Sequence, residues 1–156
     1  MPHRNIFGKI LFCTDFSHNC ELAFLHALNI AEGNPESELV IFHVIPEPSA
    51  QFWKSYLYEV DQIDDKARQD IDDKISAVYL SRIPKGVNWS VKLVIGGVNQ
   101  KILETASAEE ADLIVIGRQG SSRFNTLFFG NTTERIARKA PCPVLIVPEG
   151  HRSPSS

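Results

Sequence analysis

Five short runs of β-branched and apolar residues alternate along the chain with segments whose apolar residues recur every three or four positions. The short runs are typical of buried strands, and the three-to-four spacing is typical of amphipathic helices. Four runs are almost continuously apolar, as expected for parallel strands covered on both faces, whereas the third alternates and is predicted to lie at a sheet edge. The predicted strands cover residues 9–14, 38–44, 87–94, 113–116 and 143–147.

Four helices are predicted between these strands. The first covers residues 18–32, with Ser17 as its N-cap and Gly33 at its end, and the others cover about 50–80, 99–110 and 132–139. Strands that alternate with helices specify a parallel sheet with right-handed crossovers. The predicted fold class is therefore α/β, a single doubly wound five-stranded parallel sheet with helices on both faces. Two strand orders are common at this size, 3-2-1-4-5 and 2-1-3-4-5.

Length and composition restrict the class of protein. A chain of 156 residues is the usual size of one domain, here expected over residues 1–150 with a disordered tail at 151–156. The net charge of -3 argues against a general nucleic-acid binder, and no apolar run approaches a membrane span. The first ten residues lack a signal peptide, and three cysteines without a CxxC pair fit a reducing compartment, so the expected location is the cytoplasm. The acid-rich residues 59–74 lack EF-hand spacing, and no metal site is predicted.

The segment after the fourth strand contains the chemistry of a phosphate site. Gly117 and Gly120 permit close backbone approach, and Gly130 comes directly before a predicted helix whose N-cap is Asn131. The backbone N–H groups at the start of that helix, aided by the helix dipole, are suited to an anion. The residues that supply these groups are Asn131, Thr132 and Thr133, and Arg118 is a further candidate for the phosphates.

The loop after the first strand has no glycine and contains an acid, with Thr14 followed by Asp15. A flavodoxin would have a phosphate-binding turn in this loop and a response regulator would have further acids, so neither class fits. An aspartate opposite a phosphate loop is suited to accept hydrogen bonds from ribose hydroxyls. The alternative is an Asx turn, in which Asp15 only accepts a hydrogen bond from the Ser17 amide. The two loops together predict a mononucleotide site.

The glycines at 117, 120 and 130 form a G-x2-G-x9-G pattern, which is followed by TERIARKAPCPVLIV. Together with KILFCTDFS at the first strand and LVIFHVIPEP at the second, this pattern resembles the universal stress protein family over residues 9–147. The resemblance implies the 3-2-1-4-5 sheet and ATP as ligand, with or without Mg²⁺. It implies that Asp15 meets ribose or adenine and that the backbone of Val44 meets the adenine edge. The residues that it places around ribose and phosphates are Gly117, Gly120, Gly130, Asn131 and Thr132.

One position departs from the family pattern, because Asn131 follows the third glycine where the family has Ser or Thr. An asparagine amide still donates to a phosphate oxygen. The sequence contains no Walker A lysine motif, so the leading hypothesis is a nucleotide-responsive stress or signalling module with at most slow ATP hydrolysis and no catalytic residues. One alternative is an ATPase or phosphotransferase that uses Asp15 or His18. Another is a ligand-free dimerisation module.

The last predicted strand, from Pro143 to Val147, lies at a sheet edge in the 3-2-1-4-5 order. A bare apolar edge invites pairing with another chain unless it is covered. We therefore expect a homodimer through this strand, which the resemblance also implies. No nucleic-acid or membrane partner is expected, and the sequence does not name a downstream protein partner.

Overall fold

The computed structural model describes residues 6–46, 60–118 and 126–148. These residues contain five strands, four α-helices and a 3₁₀ turn at Leu80–Arg82. In chain order, the elements are β1 Lys9–Cys13, α1 Asn19–Glu32, β2 Glu38–Pro46, α2 Val60–Val78, β3 Asn88–Gly96, α3 Val98–Ala108, β4 Leu113–Gly117, α4 Thr126–Lys139 and β5 Val144–Val147.

The five strands form one sheet in the order β3-β2-β1-β4-β5. Strand β1 lies at the centre and pairs in parallel with β2 and β4, and β4 pairs in parallel with β5. This order confirms the predicted doubly wound α/β class and decides between the two orders that the alternation of elements had left open. It also confirms that β3 lies at an edge, and it places β5 at the opposite edge.

Helices cover both faces of the sheet because alternate strand residues point in opposite directions. On one face, Leu11 and Cys13 of β1 belong to a buried cluster that includes Ile102 of α3 and Ile136 of α4. On the other face, the ring of Phe12 packs against Phe24 of α1, with 5.6 Å between the ring centroids. The two cores explain the nearly unbroken apolar runs. The fully buried residues of the α1-facing layer include Ile10, Phe12, Ala23, Phe24, Ala27, Leu39, Ile41 and Val115.

The chain divides into two compact units. One unit, Met1–Ile45 with Gly86–Ser156, contains β1, β3, β4, β5, α1, α3, α4 and nearly all of β2. The other, Pro46–Lys85, contains α2 and the 3₁₀ turn. The helices of the described residues all lack the combination of length and apolar character that a membrane span requires. The second helix was predicted from about residue 50, and the predicted residues before Val60 lie outside the described residues.

The start of α1 differs from the prediction. The N-cap residue is His18, which makes no side-chain capping bond, and Ser17 lies one position outside the helix. Ser17 is held in the preceding loop, since its N–H donates to Asp15 Oδ1 and its carbonyl accepts from Cys20 N. Gly33 ends the helix as predicted, although its φ of -74° is an ordinary helical value.

Gly117, the last residue of β4, packs against the backbone at the start of α1. A Cβ at this position would lie 2.6 Å from the carbonyl oxygen of Asn19 and 3.0 Å from its carbonyl carbon. The sequence correctly indicated that a Cβ was excluded here. The close backbone that excludes it belongs to helix α1, so the glycine lets β4 and α1 approach each other at the edge where their loops meet.

Replacing Gly117 with Ala is expected to reduce the free energy of unfolding by about 2 kcal/mol, because the new methyl group overlaps backbone that cannot move independently. Urea denaturation measures this loss. Gly33→Ala is the matched control, because its Cβ would meet two helix carbonyls at an ordinary 3.6 Å. The control should change stability by less than about 0.5 kcal/mol. Equal effects of the two substitutions would contradict the packing argument.

Candidate functional site

A cleft opens at the carboxyl ends of β1 and β4, the two neighbouring strands between which the winding of the sheet reverses. Helix α1 follows β1 on one face, and α4 follows β4 on the other, so the two connections leave the sheet in opposite directions. Ligands of doubly wound proteins bind at this position. The described residues that line the cleft are Cys13, Thr14, Asp15, Phe42, Val44, Val98, Ile102, Ile116, Gly117, Thr132, Thr133 and Ile136.

The loop from β1 to α1 is fixed by hydrogen bonds to its own backbone. Buried Thr14 donates its N–H to Phe42 O at 2.9 Å, and its Oγ1 accepts from Phe16 N at 2.9 Å. Asp15 is exposed, and its Oδ1 accepts from Ser17 N at 2.8 Å. The Asx turn considered as an alternative role for Asp15 is therefore present. It orients the carboxylate within the cleft, so the turn and a ligand contact are compatible.

Phe16 has a left-handed backbone, with a φ of 64°. This conformation costs a non-glycine residue roughly 1–2 kcal/mol, so neighbouring interactions must maintain it. Besides the bond from Phe16 N to Thr14 Oγ1, the Phe16 ring packs against the ring of His43, with centroids 4.8 Å apart. His43 in turn donates from Nδ1 to the carbonyl oxygen of Thr14 at 2.7 Å. His43 thus has a hydrogen-bond partner within the fold, and it tethers the loop to β2.

The start of helix α4 contradicts one part of the predicted anion site, the free backbone N–H groups at residues 131–133. It begins at Thr126, whereas the sequence analysis placed its start at residue 132. The N–H groups of Asn131, Thr132 and Thr133 therefore lie inside the helix, where each is paired with the carbonyl four residues earlier. Only the first four N–H groups of a helix lack such partners, so the expectation of free amides at Asn131 is wrong.

The misjudged helix start has an identifiable cause. Gly130 followed by Asn131 was interpreted as a helix boundary, but a glycine inside a helix costs only about 1 kcal/mol and is accommodated here. Within this helix, Glu134 forms an i,i+4 ion pair with Arg138 at 2.7 Å. Thr132 and Thr133 still line the cleft, but through a helix wall that offers hydroxyl groups.

The structure brings six of the ten predicted site residues to the cleft: Thr14, Asp15, Val44, Gly117, Thr132 and Thr133. Arg118 follows β4 with an exposed side chain, and its backbone N–H donates to Val147 O at 2.8 Å. Gly130 and Asn131 lie in α4, and Gly120 is outside the described residues.

The apolar half of the cleft was missed by the sequence analysis. Val98 and Ile102 lie one helical turn apart on α3, and Ile136 faces them from α4. Their i,i+4 spacing signals an amphipathic helix, and that pattern alone does not separate a cleft wall from a core. Val98, the first residue of α3, is 42% exposed, so the N-terminal end of α3 is the open part of this wall.

Two buried cysteines lie at or near the cleft. Burial raises the pKa of the Cys13 thiol far above its ordinary value, and it raises the pKa of the Cys20 thiol to about 11. Both groups are therefore protonated near neutral pH and are poor nucleophiles.

The sheet order and the position of the cleft define a doubly wound α/β protein with a cleft at its topological switch point. A family model for the universal stress protein family matches residues 7–148. The chain belongs to this family.

Three similar proteins illustrate the relationship. Universal stress protein MJ0577 of Methanocaldococcus jannaschii is 26% identical over 155 residues, covering 91% of this chain and 95% of the relative. The solved structure of MJ0577 aligns with a TM-score of 0.78 at 25% identity, over 94% of this chain and 99% of that one. A universal stress protein in complex with cAMP aligns with a TM-score of 0.57 at 22% identity, over 89% and 94%. An Arabidopsis thaliana family member with AMP bound gives 0.54 at 17% identity, over 92% of each chain. The last two show the shared fold.

The left-handed backbone at residue 16 predicts a difference between two substitutions. Phe16→Ala and Phe16→Gly both remove the ring that contacts His43, but only glycine relieves the unfavourable φ. The glycine variant should therefore be more stable than the alanine variant by about 1 kcal/mol, measured by urea denaturation. Equal stability, or an advantage for alanine, would show that the loop does not keep this conformation in solution.

Proposed function

We propose that this protein binds an adenine nucleotide, ATP with or without Mg²⁺, in the cleft between β1 and β4. In this proposal it acts in the cytoplasm as a nucleotide-responsive stress or signalling module. The observation that carries the proposal is the convergence of an exposed carboxylate, two threonines and an apolar wall at the topological switch point. Each part of a nucleotide has a chemically suitable counterpart among these residues.

The adenine base is assigned to the apolar wall and the backbone of Val44. Phe42 O accepts from Thr14 N on the β1 side, and strand residues turn their backbone groups alternately to the two neighbouring strands. The N–H and C=O of Val44 therefore face the β1 side as well, beyond Cys13, where β1 ends. This edge gives the base a donor and an acceptor, while Val98 and Ile102 supply apolar contact.

The ribose is assigned to Asp15, because a carboxylate is the residue type that accepts hydrogen bonds from sugar hydroxyls in dinucleotide sites. The phosphates are assigned to the side of the cleft formed by α4, where Thr132 and Thr133 present hydroxyl donors. Arg118 follows β4 and adds a positive charge within the same unit. The proposed phosphate region also includes the three further residues that the family resemblance assigns to it, Gly120, Gly130 and Asn131.

The similar structures support a nucleotide as the ligand class, since one contains cAMP and another contains AMP. Each of these ligands carries a single phosphate, as a cyclic diester in cAMP and as a monoester in AMP, so the two structures do not select ATP among the adenine nucleotides. Mass spectrometry of the nucleotide retained by the purified protein identifies the species. A protein that retains none and binds none on titration would favour the alternative of a ligand-free dimerisation module.

A role as a fast enzyme is the less favoured alternative. The chain contains no Walker A lysine, and Asp15 is a hydrogen-bond acceptor for Ser17 N and lies in a turn fixed by its own backbone. We propose slow hydrolysis at most. Steady turnover at about 1 per second or faster would instead place the protein among ordinary ATP-using enzymes.

We also propose a homodimer formed through β5. Pro143 O accepts from Ile114 N at 3.0 Å and Val147 O accepts from Arg118 N at 2.8 Å, so the backbone groups at these positions face β4. By alternation, those of Val144 and Ile146 face away from the sheet. An edge with outward donors and acceptors is suited to pairing with a second copy of the strand.

Asp15→Ala is expected to weaken Mg-ATP binding roughly tenfold or more, because a hydrogen bond to a charged group contributes about 1.5–3 kcal/mol. Isothermal titration calorimetry measures the change and should show one site per chain in the unsubstituted protein. Glu36→Ala, which removes an exposed carboxylate elsewhere in the same unit, should leave the affinity unchanged. An unchanged affinity in Asp15→Ala would reject the assignment of the ribose.

Val144→Pro is expected to convert the dimer to a monomer, because proline removes an N–H that faces outward and keeps the ladder between β4 and β5. Proline is also tolerated at the first residue of an edge strand. Val144→Ala shortens the same side chain and retains the N–H, so it should stay dimeric. Analytical ultracentrifugation distinguishes the two masses. If the Val144→Pro variant remained dimeric, the result would contradict an interface formed through β5.

A further inference from the structure

The Cys20 side chain makes a direct hydrogen bond to the carboxylate at the centre of the proposed site. Its Sγ donates to Asp15 Oδ1 at 3.1 Å from the first turn of α1, and the residue is only 1% exposed. The same oxygen accepts from Ser17 N at 2.8 Å. Two donors on one carboxylate oxygen restrict rotation of the carboxylate about its last side-chain bond.

The thiol is suited to be a donor because it stays protonated. Burial, followed by the nearby charge of Asp15, raises the pKa of Cys20 to about 11. At neutral pH the sulfur therefore carries its proton, and the negative charge stays on the carboxylate. The thiol also lies 3.6 Å from Ser17 Oγ, so it is enclosed by polar atoms of the same loop.

The geometry points to Cys20 as a positioning residue of the nucleotide site, whose thiol orients Asp15 for the ligand's ribose hydroxyls. This inference rests on the proposed function, since it requires Asp15 to contact a nucleotide. Cys20 itself is not among the residues that line the cleft, so its effect on binding is transmitted by Asp15. The alternative is that Cys20 serves only as a small apolar residue of the core.

Three substitutions separate positioning from packing. Cys20→Ala removes the donor, Cys20→Ser keeps a donor of similar size, and Cys142→Ala removes a half-buried thiol at another place in the fold. If Cys20 positions Asp15, the alanine variant should bind ATP roughly fivefold more weakly, the value of one hydrogen bond of about 1 kcal/mol. The serine variant should bind within about twofold of the unsubstituted protein, whatever its thermal stability. Cys142→Ala should bind normally.

A double-mutant cycle tests whether the effect passes through Asp15. In the Asp15→Ala background, Cys20→Ala should cause no further loss of affinity, because the acceptor of its hydrogen bond is already absent. An equal loss in both backgrounds, unchanged binding by Cys20→Ala, or a serine variant as weak as the alanine variant would each overturn the inference. If the unsubstituted protein binds ATP normally, such a result leaves the proposed function intact. If the unsubstituted protein binds no nucleotide at all, the proposed function fails, and this inference fails with it.

Infrared spectroscopy supplies a readout that does not require the Cys20 variants to fold. The stretching band of a thiol that donates a hydrogen bond shifts when its acceptor is removed. In the chain with native cysteines, Asp15→Ala should shift one of the thiol bands, because it removes the acceptor, and Glu36→Ala should shift none. An unshifted spectrum in Asp15→Ala would overturn the hydrogen bond on which the inference depends.

Discussion

The structure depends on burial of the central strand, β1, on both faces. The side chains of β1 point alternately to the two faces of the sheet, and both sets are buried. Helix α1 covers one face, and α3 with α4 covers the other. The chain leaving β1 and the chain leaving β4 then diverge, and the space between them is the cleft. A cleft at this place is therefore a consequence of how the core is filled. The side chains that line it determine its chemical character.

Much of this architecture could be predicted because it depends on local patterns. Continuous apolar runs indicated the buried strands, and the alternating run correctly indicated the edge position of β3. Alternation of elements did not determine the strand order. The order followed only from the resemblance to a family, because pairing between distant strands leaves no periodic signal in one sequence.

The candidate site was predicted less completely than the fold. Asp15 and Gly117 were identified from their positions at strand ends, and both lie where the sheet order requires. The helix around Gly130 was misjudged because a glycine next to an asparagine satisfies the rules for a helix boundary, whereas the helix continues through both residues. The contacts that Cys20 and His43 make with the loop after β1 could not be predicted either, because only the folded chain brings these residues together.

The tether between β2 and the loop after β1 determines which nitrogen of the neutral His43 ring carries the hydrogen. Because a carbonyl oxygen only accepts hydrogen bonds, the bond from His43 to Thr14 O requires a hydrogen on Nδ1. The tether therefore selects one of the two tautomers of the neutral imidazole, in which Nε2 is an acceptor. Any group that forms a hydrogen bond with Nε2 of this tautomer must be a donor.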